Sequence, residues 1–199
     1  TPEEIRDNPY QKKMVKEEKR TRKGIVFKEV ENKQWMVARH DGSWTRMDKA
    51  FKRAEGLLEN WMKEHHDKDC YPPTIINITD GEYNGTSYDE MQQLANQLKS
   101  MFTNDGNVLL FNIHVVPEHA ESVVFPATAD ELNGNGYGKK LYEMSSLLPL
   151  NYNEQIRNIF GDKQADIRYH AMGVNTGMER LVKMMKIGTL SRMLANQNP

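Results

Sequence analysis

The sequence predicts an α/β protein with a doubly wound, mostly parallel sheet and helices on both of its faces. Three observations carry this expectation. Residues 74–79, TIINIT, are apolar or β-branched apart from Asn77, and residues 107–116, NVLLFNIHVV, carry apolar side chains on both faces. Runs of that kind belong to strands in a sheet covered on both sides. Between them, 87–102 places Met91, Leu94, Leu98 and Met101 at helical spacing. Short connections join the three segments, and a strand–helix–strand unit crosses over right-handed into parallel pairing.

The other elements follow in chain order. Residues 3–20 are densely charged, with Lys and Glu spaced as in a solvated helix or a mobile arm. Residues 24–39, GIVFKEVENKQWMVAR, read as two short strands turning at Glu31-Asn32-Lys33. A helix over 45–62 shows Met47, Ala50, Phe51, Ala54, Leu57, Leu58 and Trp61 on one stripe. Thr45 or Ser43 can cap it, with Asp48 in its first turn. EHHDKDCYPP then forms a polar loop. Thr86 or Ser87 can cap the helix at 87–102, and Asn104-Asp105-Gly106 closes it. Beyond Pro117, ESVVFPA reads as a short strand and ELNGNGYGKKLYEMSSLLP as a short helix behind glycines. The glycine spacing is not a dinucleotide fingerprint, because no strand runs into it. Residues 151–160 read as helix, ADIRYHAMGV as an edge strand, and 174–185 as a final helix. The chain reads as one domain over 1–199: a charged helix or arm at 1–23, a core at 24–116 and a C-terminal part at 117–199.

Composition excludes several classes. Lys and Arg number 27 against 28 Asp and Glu, a net charge of -1, so no global field draws the chain to nucleic acid or membrane. Glu17 and Glu18 interrupt the basic run at 11–24, and no aromatic residues interleave it. The single cysteine, Cys70, excludes an internal disulfide framework and a Cys-rich zinc site. No apolar run reaches membrane-spanning length and no signal-peptide pattern opens the chain, so a cytoplasmic protein is expected. His65-His66 with Asp67, Asp69 and Cys70 has ligand types without helical spacing, and reads as a solvated loop. His114 reads as a packed strand histidine, and Ser145-Ser146 as helix surface or cap.

The chemistry concentrates where the strand at 74–79 stops. Thr79-Asp80-Gly81 delivers a carboxylate to the carboxyl end of a strand, the edge where open α/β sheets bind ligands. The segment HDGSWTRMD before the first long helix supplies Asp41, Ser43 and Thr45, and would reach the same edge if a strand fed it. Hydroxyl and carboxylate oxygens converging there suit a hard cation such as magnesium. They lack the His or Cys base that nucleophilic catalysis requires.

DGSWTRMDKAFKRAEGLLENW followed by PPTIINITDGE resembles the second and third metal motifs of a von Willebrand factor A domain. Gly42, Thr45, Met47, Trp61 and Thr79-Asp80-Gly81 match that family's pattern in order and spacing. NVLLFNIHVV, FP, LYEMSSLLP and VNTGMERLVKMMKIGT extend the similarity to the bacterial, tellurium-resistance (TerY-like) subset, so it spans nearly the whole chain. The resemblance implies a Rossmann-like fold and a metal-ion-dependent adhesion site. Thr45 would coordinate directly and Asp80 through water. The family's first motif, D-x-S-x-S after a central strand, has no clear counterpart, because only 79 residues precede Asp80. Asp41-Gly42-Ser43-Trp44-Thr45 fits that pattern literally, but QWMVARH before it is too polar for a central buried strand. Asp41 and Ser43 are therefore secondary candidates. The expected sheet lacks its first strand, and magnesium binding by this chain alone should be weak or absent.

Two functions are weighed. The first is a non-enzymatic protein-binding module whose partner completes a magnesium shell with an Asp or Glu. The resemblance places it beside a phosphatase and a kinase in a bacterial stress or defence system. The missing segment, or another copy of the chain, would be a further partner. The second is a magnesium-dependent hydrolase of phosphate esters or nucleic acid, with Asp80 as ligand. It would need further carboxylates, and only Asp41 and Glu82 are at hand.

Overall fold

The structure, a computed structural model, describes residues 2–21, 24–34, 44–65, 68–116, 121–132, 136–161 and 163–188. The chain divides into two compact units, Thr1–Ser43 and Trp44–Pro199.

In the first unit a short helix, α1 (Pro2–Asp7), precedes a long hairpin. β1 (Gln11–Thr21) pairs antiparallel with β2 (Gly24–Gln34), from Gln11 opposite Gln34 to Thr21 opposite Gly24. This corrects two expectations. The charged stretch expected as a helix or arm is a strand over 11–21, and 24–34 runs on without a turn at Glu31-Asn32-Lys33. The same charges that suit a helix also meet across strands: Lys16 faces Glu29, and Glu17 faces Lys28. Opposite charges on facing residues stabilise an antiparallel pair. Val15 faces Val30, and these two are the half-buried positions of otherwise exposed strands.

The second unit opens with α2 (Met47–His65), then β3 (Thr74–Thr79) and α3 (Tyr88–Ser100). Ser87 caps α3: its side chain accepts from Glu90 N, and the Glu90 carboxylate accepts from Ser87 N at 2.8 Å. This reciprocal box fixes where the helix starts. Asn104-Asp105 does not close the helix. It turns a small hairpin, β4 (Phe102–Thr103) against β5 (Gly106–Asn107), which leads into β6 (Leu109–His114). There follow β7 (Val123–Val124), α4 (Gly136–Met144), α5 (Asn153–Phe160), β8 (Met172–Val174) and α6 (Met178–Gly188).

The main sheet has the order β3-β6-β8-β7. β3 and β6 pair in parallel from Thr74 opposite Leu109 to Thr79 opposite His114, as the strand–helix–strand pattern predicts. β6 and β8 are also parallel, and β7 runs antiparallel to β8. The edge strand expected at 165–174 is thus an interior one. Met172, Gly173 and Val174 are all buried, and the short β7 takes the edge beside them.

Alternation along β6 shows why both faces are covered. Leu110 joins a core with Phe51 of α2, Met91, Ala95 and Leu98 of α3, and Leu141 and Met144 of α4. Leu109, Phe111 and Ile113 point the other way, into a core with Ile156 of α5 and Met184 and Ile187 of α6. The unit is therefore a mixed α/β protein with a mostly parallel four-stranded sheet between two helical layers, compatible with a Rossmann-like fold. Among the described residues, no helix is long and apolar enough to cross a membrane.

Candidate functional site

The loop after β3 is built by short local bonds. Thr79 Oγ1 accepts from Gly81 N at 3.0 Å, and Asp80 Oδ1 accepts from Glu82 N at 3.1 Å. A short carboxylate capping its own backbone two residues on is a standard turn device. Gly81 sits at φ +87, and a Cβ there would lie 2.6 Å from Tyr137 Cβ and 3.0 Å from His114 Cε1. Only glycine combines that backbone with so close an approach. Asp80 is thus projected outward by a turn seated on two rings. It is exposed, and its bond to Glu82 N engages one of its two oxygens.

The second candidate loop reaches the same place. Asn84 N donates to the Thr45 carbonyl at 2.8 Å, which ties the segment before α2 to the loop after β3. The Thr45 side chain is exposed, and its hydroxyl has no partner among the described residues. Asp41 and Ser43 lie outside the described residues. The structure thus brings Thr45 and Asp80 into neighbouring, bonded loops.

Several residues of this edge escape a reading by motif. Arg46 forms a two-pronged pair with Asp48, at 2.9 and 2.7 Å. That hydrogen-bonded guanidinium holds the Asp48 carboxyl down at about 2. Gly85, at φ +75, lets the loop lie on the same guanidinium: a Cβ there would be 2.9 Å from Arg46 Nε. Tyr88 donates to the Glu143 carboxylate, and burial, with that bond second, pushes its phenol up. Lys140 lies over the Tyr88 and Tyr137 rings at 5.7 and 5.6 Å from their centroids. Two glycines four residues apart in DGEYNG were the signal for a loop pressed on side chains, though not for which ones.

Other sequence candidates resolve structurally. Ser145 and Ser146 are buried rather than on a helix surface. Ser146 Oγ accepts from Leu110 N at 2.9 Å, and Asn112 Nδ2 donates to Ser145 Oγ at 3.0 Å, so both serines tie the end of α4 to β6. Asn112 also accepts from Asn77 Nδ2 at 2.8 Å, which joins β6 to β3 inside the core. His65 stacks on Trp61, ring centroids 4.3 Å apart, and Asp69 accepts from Asn104. His66 and Asp67 lie outside the described residues.

The oxygens of Thr45 and Asp80 fit a hard cation in kind but not in number, since magnesium takes near-octahedral oxygen coordination. Among the described residues, no three His, Cys, Asp or Glu side chains gather as a metal site.

The fold and this edge define a class: an open α/β protein with a loop cluster at the carboxyl ends of its parallel strands. Comparison with protein-family models, with curated proteins and with solved structures finds no match.

Proposed function

We propose that the chain is a non-enzymatic protein-binding module of the von Willebrand factor A kind, which engages its partner along β3 and the loop that β3 feeds. One observation carries this reading. β3 has the composition of an interior strand, yet among the described residues it is bonded only to β6, and Ile78 is 57% exposed. An uncharged edge whose backbone groups are unpaired among the described residues is a template for another strand. The strand would come from another polypeptide or another copy of this chain. Asp80 and Thr45 stand beside that edge, where a partner's Asp or Glu would complete the shell of a magnesium ion that these two residues begin. Such a module would serve a bacterial stress or defence system of the kind to which the resemblance points.

Amide hydrogen exchange on the dilute protein tests the reading. The β3 amides that face away from β6 should exchange orders of magnitude faster than those of β6, and become protected when a partner strand binds. Full protection of every β3 amide in the dilute monomer would overturn the proposal.

A further inference from the structure

A cavity of about 250 Å³ lies at the other end of the parallel strands, where β6 begins. Lys99 at the end of α3 and Arg168 before β8 both line it, with Ser146, Pro149 and Tyr152 among the other walls. No Asp or Glu lines it among the described residues.

The charges are uncompensated. Lys99 is half-buried, and among the described residues its ammonium reaches only two carbonyls, of Glu143 at 3.5 Å and Ser145 at 3.4 Å. These are long contacts for a group with three donors. Burial alone pushes its pKa down, with no carboxylate to offset it. Arg168 is exposed and makes no hydrogen bond or ion pair with any described residue, so its planar fork is free. Ser146, 6% exposed, accepts from Leu110 N and keeps its own hydroxyl proton to donate. Burying a cation without a partner is costly, and an anion in the cavity would remove that cost.

We infer that this cavity binds a phosphate group, free or as a small monoester, between Lys99 and Arg168. The guanidinium fork matches two phosphate oxygens and the ammonium supplies a point charge to a third. The cavity exceeds one water's share of about 30 Å³ several-fold, and Pro149 and Tyr152 give it an apolar wall for a small organic group. The site is separate from the loops that hold Thr45 and Asp80, and it stands whether or not those loops bind a partner.

His170 provides a local reporter. It packs on Tyr142, ring centroids 3.8 Å apart, and burial, with Lys99 second, lowers its pKa to about 4. Calorimetric titration at low ionic strength with inorganic phosphate, and separately with glycerol phosphate, is the test. Saturable binding is expected, and the tighter of the two ligands tells free phosphate from ester. Arg168→Gln, at an exposed position, should weaken binding about tenfold or more, and Lys99→Met similarly. Phosphate should also raise the His170 pKa, followed by its ring-proton resonance, and should cease to do so in Lys99→Met. A titration that does not saturate, or an affinity unchanged in both variants, would overturn the assignment.

Discussion

β3 and β6 lie side by side, pair residue for residue over six positions and are equally rich in aliphatic residues. All six residues of β6 are buried, whereas none of β3 is, and Ile78 is 57% exposed. The difference lies in neighbours. β6 is bonded on both sides, to β3 and β8, and both its faces meet helices. β3 is bonded on one side among the described residues. Composition states what a strand is fit for, while its place in the sheet decides how much of that fitness is used.

The sharpest way to break the comparison is to truncate matched side chains. Leu110 is fully buried in the core formed with α2, α3 and α4. Leu110→Ala should cost about 3–5 kcal/mol, the range for a buried leucine that leaves a cavity. Urea unfolding would read it as a lower midpoint. A cost under about 1 kcal/mol would mean that β6 is not the centre of the sheet.

This contrast also shows what the sequence could convey. The apolar runs at 74–79 and 107–116 and the stripe at Met91, Leu94 and Leu98 were enough for a parallel unit with a helix on it. Each signal is local, and a helix between two strands returns the chain to the same end of the sheet, which favours parallel pairing. The partners of those strands were not legible. ADIRYHAMGV reads as an edge, yet Met172–Val174 lies inside because the two-residue β7 docks beyond it, and nothing in VV announces that. The hairpin at 11–34 is not legible because Lys16, Glu17, Lys28 and Glu29 satisfy helical spacing along the chain as well as pairing across it. At the site, Asp80 and Gly81 stood out as a carboxylate and a turn at a strand end. Arg46 and Tyr137 did not, because their part depends on contacts between distant segments.

A second, smaller effect separates the two strands by pH. β3 holds no titratable side chain, whereas His170 sits beside the far flank of β6, just before β8. Its pKa is lowered from 6.5 to about 4 by burial and by Lys99. The unfolded chain therefore binds this proton more readily than the folded one. The sign follows: the contribution to stability is fully present above about pH 6.5 and is lost as pH falls toward 4. Urea midpoints between pH 7 and pH 4 should fall with acid, and His170→Gln should flatten that slope. An unchanged slope in the variant would place the acid sensitivity elsewhere.

The smallest stability effect is expected at Ile78, and it sharpens the comparison most. Ile78 points to the same face as Thr74, whose hydroxyl donates to the Gly188 carbonyl at 2.5 Å, and as Ile76, which packs against the core shared with α5 and α6. Those two residues anchor the strand, whereas Ile78 leaves most of its surface in water. Ile78→Lys should therefore change stability by less than about 1 kcal/mol, as substitutions at exposed positions do. Its effect on strand addition should be far larger. Lysine on an edge is a common device by which sheets refuse further strands, because pairing would desolvate the ammonium or force it aside. The variant should keep the urea midpoint of the parent chain, keep fast exchange at the outward β3 amides, and lose the protection that a docked strand confers. Destabilisation as severe as that of Leu110→Ala would show that residue 78 is interior after all, and the distinction between the two strands would collapse. Undiminished partner binding by a stable variant would move the docking surface away from β3.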